Sequence, residues 1–422
     1  MFRTKSISRL LGVAALLCAG AISAAPAQLG FQAAVERAIR IAPTLAARQS
    51  QALAAREEAG RAAALPDPKL SVAIENLPIT GADAFDFRAD EMTMKRVGVM
   101  QEFPARAKRR AQQAVADRLL DQAQALTVVE QLSVARATAE AWINVWAAER
   151  ELAALQGLGQ QSALAIRVAK ARLGAGTGTA VDAMATQASA LELENKIEAA
   201  DAAAEGARST LARWLDAGST EVSSSGAPPD LSVLPTSEAD LLSSIERQGP
   251  VLPWQSREAG AEAEVDLATA QKRPDWSIGA AYGQRSGSRS DMLTLEFSVQ
   301  LPLFTVNRQD RGIAARRADL DAVVAAHQEA RRAQLEAVRR GLAEWKGLNR
   351  QVVRKEREML PLARDRAETA LAGYRGGGEL QPWLEARRDE LELHIEHARH
   401  LGELGRAWAA LAYLLPTKEL RP

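Results

Sequence analysis

The stretch 291–311 changes its pattern of polar and apolar residues at a proline. From position 293 to 301, apolar residues alternate with polar ones, which is the two-residue period of a β-strand with one apolar and one polar face. Pro302 follows, and from about residue 308 almost nothing interrupts a helix-forming composition. The stretch therefore predicts a strand that leads directly into a long helix.

The same design occurs earlier in the chain. Residues 94–103 precede Pro104 and a second long helix-forming stretch, although their alternation is the weakest among the predicted strands. Other landmarks also recur at similar separations: Pro43 returns as Pro250, and the segment that begins LELE at Leu191 returns as LELH at Leu391. These repeated intervals predict a tandem duplication.

The predicted elements divide the chain into two repeats. The first repeat, 28–215, contains strands at about 69–76 and 93–103, a long helix at about 105–173, a hairpin at 172–179 and a return helix at 181–215. The second repeat, 237–415, contains strands at about 276–284 and 291–301, a long helix at about 308–371, a hairpin at 373–380 and a return helix at 383–415. A signal peptide at 1–27, a linker at 216–236 and a tail at 416–422 complete the prediction.

The N-terminus has the organisation of a secretory signal peptide. Basic residues precede a short apolar run and a cluster of small residues, and the run is too short to span a bilayer. Cys18, the single cysteine, lies inside this run, where the preceding residues fit a lipid-attachment signal poorly. We therefore expect an exported mature protein without a disulfide.

Composition narrows the function further. Lys+Arg and Asp+Glu number 53 each, so the chain has no excess positive charge that would attract nucleic acid. Only 4% of residues are aromatic and alanine is abundant, which favours closely packed helix pairs. No run beyond the signal approaches the roughly 20 apolar residues of a transmembrane helix, so any crossing of a membrane would be made by strands.

The predicted strands suggest a shared barrel. Strands of about ten residues are long enough to cross a bilayer at a tilt, but four of them leave two open edges that hydrocarbon does not tolerate. Three chains would supply twelve strands, enough to surround a water-filled pore. The polar face would then line the lumen, with Ser277, Gly279, Thr294, Glu296 and Ser298.

Several short motifs carry a resemblance to a known family. They are Ala42-Pro-Thr-Leu, Pro66-Asp-Pro-Lys-Leu, Gln101-Glu-Phe-Pro with Gln300-Leu-Pro-Leu-Phe, and the two glycine-rich hairpins. Together with the repeated order of elements, they resemble the TolC-type outer-membrane efflux family, and in detail the heavy-metal (CzcC-type) branch that serves tripartite RND pumps. The similarity extends over nearly all of the predicted mature chain.

The resemblance implies a fold and a set of partners. The fold is mainly α with a transmembrane β portion: a homotrimer with a 12-strand β-barrel in outer-membrane lipid, continued into the periplasm by an α-helical barrel. A periplasmic adaptor protein and an inner-membrane RND pump would dock onto it. The implied function is a passive exit duct, with heavy-metal cations as substrates; drug efflux or type I secretion is the alternative.

The hairpins are candidates for adaptor contact, through Arg172, Gly174, Gly176 and Gly178 in the first and Tyr374, Gly376, Gly377 and Gly378 in the second. Glycines also simply permit a tight reversal between helices, and both roles are compatible. Asp182 and Glu385 follow the hairpins, where the resemblance implies a mouth narrowed by rings of acidic side chains. The alternative is that each is a solvated acid that stabilises the start of a helix.

His394, His397 and His400 recur at three-residue intervals on a predicted helix. Neutral imidazoles there could hold a transported cation briefly, but a surface stripe is the simpler interpretation, because metal sites need converging ligands from another segment. No catalytic constellation and no cofactor motif is present, so we predict neither an enzyme nor a cofactor. The competing class is a periplasmic coiled-coil spacer or adaptor, which would not need strands with an apolar face.

Overall fold

The computed structural model describes residues 27–217, 222–286 and 289–416. The predicted signal peptide with Cys18, and all but the first residue of the predicted tail, lie outside the described residues, apart from Ala27 at their boundary. Within these three ranges, no helix combines the length and the apolarity needed to cross a membrane.

The first half is built around one very long helix. Its elements are β1 (Ala27–Leu29), α1 (Phe31–Ile41), α2 (Pro43–Arg61), β2 (Lys69–Glu75), β3 (Met94–Phe103), α3 (Arg106–Gly174) and α4 (Ala180–Leu215). Pro43 lies in the first turn of α2, where a missing N–H costs nothing. Helix α3 has 69 residues and is therefore about 100 Å long.

The second half follows the same order with additional short elements. They are β4 (Val222–Ser224), α5 (Glu238–Ser243), a 3-10 helix (Ile245–Arg247), α6 (Leu252–Ala270), β5 (Trp276–Arg285), β6 (Met292–Val299), α7 (Gln309–Arg354), a π-helical segment (Lys355–Met359), α8 (Leu360–Arg375) and α9 (Gln381–Ala412). Strand β4 lies within the predicted linker and pairs in parallel with β1. The linker thus returns the chain to its N-terminal strand.

The second long helix, predicted over about 308–371, extends from Gln309 to Arg375 and contains a π-helical segment. The π-helical segment separates α7 from α8 just before Pro361. Proline lacks an N–H and its ring crowds the carbonyl group four residues earlier, so a local π turn relieves a conflict that a regular α-helix would retain. Helical structure then continues to Arg375.

A four-stranded antiparallel sheet combines strands from both halves in the order β2-β3-β5-β6. β3 pairs with β5 over ten residues, from Met94 opposite Arg285 to Phe103 opposite Trp276. The segment with the weakest alternation in sequence is therefore a central strand. Its charges are accommodated because Arg96 lies beside Glu75 of the neighbouring strand β2, at 2.6 Å.

The main core lies where α1, α3, α4 and α9 pack together. Trp142 and Ile143 of α3 are fully buried there, with Ala139 and Ala409 beside them. Alanine and glycine let the helices approach closely: a Cβ at Gly405 of α9 would overlap Ile143 Cγ2. The core holds the long helices side by side, and the four-stranded sheet contributes no residue to it.

Candidate functional site

The four-stranded sheet presents an exposed apolar face. The register brings together Leu70, Val72, Ile74, Val97, Val99, Ile278, Leu293, Leu295 and Phe297 on it. Val72 and Leu295 are each 76% exposed, although a sheet in a water-soluble protein buries such a face against a core. An apolar surface of this extent indicates contact with another apolar phase or protein.

The opposite face is small and polar. On β5 exposure alternates, and Gly279, Ala281 and Gly283 on this face are buried whereas Ile278 and Tyr282 on the apolar face are exposed. The five predicted lumen residues all lie on the small face, since Ser277 pairs with Ser298, Gly279 with Glu296 and Ala281 with Thr294. Ion pairs cross the same face, Arg96 with Glu75 at 2.6 Å and Lys69 with Glu102 at 2.5 Å.

Both edges of the sheet are open in the single chain. β2 pairs only with β3, and β6 pairs only with β5, among the strands that the structure describes. Every residue of β6 is exposed, and so are nearly all residues of β2. Each edge therefore offers a row of backbone N–H and C=O groups to a further strand.

Asp275 joins the sheet to the long helix of the first half. Its carboxylate accepts a hydrogen bond from the Ala105 N–H at 2.8 Å and from Lys108 Nζ at 2.6 Å, just before β5 begins. Beside this junction the rings of Phe103 and Trp276 stack with centroids 4.2 Å apart. The contacts connect residues far apart in sequence and fix the direction in which α3 leaves β3.

Arg172 ties the two hairpins together at the other end of the helices. Its guanidinium donates to the carbonyl oxygens of Tyr374 at 2.7 Å and Gly378 at 3.1 Å, and to that of Thr177 in its own hairpin at 3.3 Å. It also lies over the Tyr374 ring, 4.5 Å from the centroid. The first and second hairpins thus form one tip.

The predicted hairpin glycines differ in what they do. Gly176 and Gly377 adopt φ values of +72° and +102°, which glycine reaches without strain. At Gly178 a Cβ would lie 2.8 Å from the Cβ of Arg172, so only glycine leaves room for the bridging arginine there. Gly378 makes a similar close approach to Gly373, whereas Gly174 and Gly376 lie at the ends of α3 and α8.

The two acidic candidates lie near the starts of the return helices. Asp182 is in the first turn of α4, where its N–H is capped by the Thr179 hydroxyl at 3.1 Å. Burial raises the pKa of Tyr374; the positive charge of Arg172 lowers it, and the negative charge of Asp182 raises it. Glu385 is exposed in α9 and accepts a hydrogen bond from Gln381 at 3.0 Å. Asp182 thus has the position expected of an acid that stabilises a helix start.

The three predicted histidines do not form the surface stripe that the simpler interpretation expected. His397 is only 8% exposed, with Nε2 at 3.4 Å from Glu356 and Nδ1 without a hydrogen-bond partner. Burial lowers the pKa of both His394 and His397. They line a cleft of about 570 Å³ beside the π-helical segment. No group of three or more His, Cys, Asp and Glu residues in the described part of the chain could hold a metal ion.

Sequence reasoning missed three long-range contacts. The Arg172 bridge to Tyr374 spans 202 residues, and the Asp275 contact to Ala105 spans 170. His327 of α7 lies between two carboxylates from other segments. The local pattern marks Arg172 and Tyr374 as hairpin residues, but it carries no signal that distant residues meet in any of these three contacts.

Comparison with known proteins identifies the fold. No protein-family model matches the chain, and no curated protein gives a significant sequence match. Solved structures do match. The outer-membrane channel OprN is 19% identical with a TM-score of 0.75, covering 91% of this chain and 89% of OprN. The outer membrane protein VceC from Vibrio cholerae is 18% identical with a TM-score of 0.72, covering 91% and 94%. CusC, which forms a transmembrane channel, is 13% identical with a TM-score of 0.77, covering 92% and 93%. The chain therefore has the fold of these outer-membrane proteins.

Proposed function

We propose, from the fold that this chain shares with outer-membrane channels, that it is the outer-membrane component of a tripartite efflux pump. The observation that carries the proposal is the exposed apolar sheet face, combined with two unpaired edges. Hydrocarbon would cover the apolar face, whereas the edges would remain uncovered in a single chain. The channel itself would be passive and catalyse no reaction, and a partner pump would supply the energy that drives transport.

Three copies of the chain would close the β-barrel. β6 of one copy would pair with β2 of the next, giving a homotrimer with twelve strands around a polar lumen. The small residues on the inner face, with Ser277, Thr294, Glu296 and Ser298, suit a water-filled interior. The two helical halves, which we infer to be a tandem duplication, would extend this tube into the periplasm.

The experiment is reconstitution of the purified mature protein into planar bilayers. We expect stepwise conductance, a trimer in detergent by native mass spectrometry, and heat-modifiable mobility on gels. A water-soluble monomer without conductance would refute the proposal and favour the periplasmic spacer.

The tip formed by the two hairpins is the proposed contact for a periplasmic adaptor, with an inner-membrane RND pump beneath it. Its backbone is accessible at Gly174, Gly176 and Gly377, where no neighbouring atom would meet a side chain. Site-specific crosslinking from Thr177 should capture the adaptor, and a crosslink only from mid-helix positions would contradict this assignment.

For the mouth, we propose that Asp182 and Glu385 form acidic rings that favour cations. The double variant Asp182→Ala with Glu385→Ala should lose cation selectivity in bilayers, because like charges converge there in the trimer. Glu379→Ala, which removes another exposed tip acid, is the matched control. Unchanged selectivity in the double variant would refute the proposal that these two acidic residues select for cations.

The proposed substrates are heavy-metal cations, on the strength of the sequence resemblance. A deletion strain should become sensitive to Zn²⁺, Co²⁺, Cd²⁺ or Cu⁺. Sensitivity confined to hydrophobic antibiotics would instead assign the duct to drug efflux.

A further inference from the structure

His327 of α7 lies between two carboxylates. Its Nδ1 is 2.8 Å from Glu258 Oε2 in α6, and its Nε2 is 3.1 Å from Glu246 Oε2 in the 3-10 helix. A neutral imidazole carries one N–H and can donate to only one of these acceptors, whereas the imidazolium donates to both. The geometry is therefore complete only when the ring is protonated.

The surroundings favour a charged ring. The His327 side chain is 14% exposed and its ring stacks on Trp254, with centroids 6.1 Å apart. Arg331 pairs with Glu246, and Arg257 lies over the Trp254 ring, so two arginines accompany the two glutamates at the site. Burial lowers the pKa of His327, but the hydrogen bonds and charges of Glu258 and Glu246 outweigh it, and the pKa is raised above 6.5.

The two glutamates belong to a segment that packs on α7. Leu241 and Ile245 are buried there against Val338 and Leu342. Gln248 is fully buried and accepts a hydrogen bond from Gln334 of α7 at 2.7 Å. His327 thus belongs to the set of contacts that hold residues 238–258 against the long helix, and its side chain is the one that ordinarily titrates near neutral pH.

We propose that His327 is a pH-sensitive latch that fixes the 238–258 segment to α7 in mildly acidic conditions and loosens it as the pH rises. This inference does not depend on the channel function. The sign follows from linkage: a histidine whose pKa is raised in the folded state contributes its full stabilisation below about 6.5, and loses it as the pH rises through the folded-state pKa.

Hydrogen–deuterium exchange of the full-length protein tests the latch. Peptides covering 238–258 are compared between wild type and His327→Gln at pH 5.5, 6.5, 7.5 and 8.5, so that intrinsic exchange rates cancel at each pH. We expect the variant to exchange about tenfold faster at pH 5.5, with the difference shrinking to less than about twofold at pH 8.5. His400→Gln, on another helix, is the control and should leave these peptides unchanged.

A ratio that is the same at every pH would mean that His327 acts by packing alone, and it would overturn the proposal. Glu258→Gln provides a second test that keeps the histidine. This substitution removes one of the two carboxylates that raise the pKa of His327. The pH at which peptides 238–258 lose half of their protection from exchange should therefore be lower in Glu258→Gln than in wild type. An unchanged midpoint in Glu258→Gln would equally refute the latch, even if His327→Gln fails to fold.

Discussion

Arg172 shows how one side chain can join two hairpins that are far apart in sequence. It donates to carbonyl oxygens in both hairpins and lies over the Tyr374 ring. Replacing it with glutamine removes the charge-assisted hydrogen bonds and the cation–π contact, so we expect the second hairpin to open more easily by about 1–2 kcal/mol. Amides around Gly377 should then exchange roughly tenfold faster, measured by hydrogen–deuterium exchange.

Arg375 supplies the matched control for this prediction. Arg375 is an exposed arginine in the second hairpin, so Arg375→Gln should leave the exchange of both hairpins close to wild type. Equal effects of the two variants would show that net charge at the tip matters and that the Arg172 bridge does not.

His397 makes a prediction of the opposite sign to that of His327. Burial lowers its pKa below 6.5, against the pull of Glu356, and the positive charges of Arg150 and Lys355 add to the decrease. Stability is therefore fully present above about pH 6.5 and is lost as the pH falls towards the folded-state pKa, because the unfolded chain binds the proton more readily.

The measurement is the apparent midpoint of thermal unfolding at pH 7.5 and 5.5. His397→Gln should reduce the loss of stability on acidification, whereas His327→Gln should increase it. The same change in both variants would contradict the assignment of their protonation states.

At the scale of helices, close packing depends on small residues at particular positions. A Cβ at Gly405 would overlap Ile143 Cγ2 and lie 3.1 Å from its Cβ, so α9 could not keep its distance from α3. Gly405→Ala should destabilise the protein by about 1–3 kcal/mol through overpacking, seen as a lower apparent unfolding temperature.

Gly347 of α7 is the control for the same substitution. No neighbouring atom lies within 4 Å of the position that a Cβ would occupy at Gly347, so alanine meets open space there. Gly347→Ala should stabilise the helix by about 0.5–1 kcal/mol, because alanine loses less backbone entropy. Destabilisation by both alanines would indicate that helix geometry, and not the α3–α9 contact, limits stability.

At the scale of the whole molecule, the two faces of the sheet should tolerate charge differently. Leu295→Arg places a charge on the exposed apolar face and should cost about 2–4 kcal/mol in a bilayer, so insertion into liposomes should fall sharply. Thr294→Arg, one residue earlier and on the opposite face, should insert nearly as well as wild type. Equal insertion of both variants, measured by heat-modifiable mobility, would argue against a lipid-facing sheet.

The sequence by itself determined the four strands of the main sheet, the long helices and the order in which they follow one another. Alternation in 293–301 and proline at Pro302 act through neighbouring residues, and backbone pairing and face direction repeat with a fixed local period. The strands, the long helices and the glycine-rich turns could therefore be predicted without knowing what lies beside them. The π turn before Pro361, through which the helix accommodates the proline and continues, was not part of that prediction.

Only the tertiary structure decided which distant residues meet. The tip at Arg172, the junction at Asp275 and the bridge at His327 join groups that are 202, 170 and 81 residues apart in sequence. It also decided that His397 is buried and not part of a surface stripe. Such contacts depend on how long helices align along their whole length, which no local period encodes, because a side chain on a regular helix can face solvent or a neighbour without any change in its own pattern.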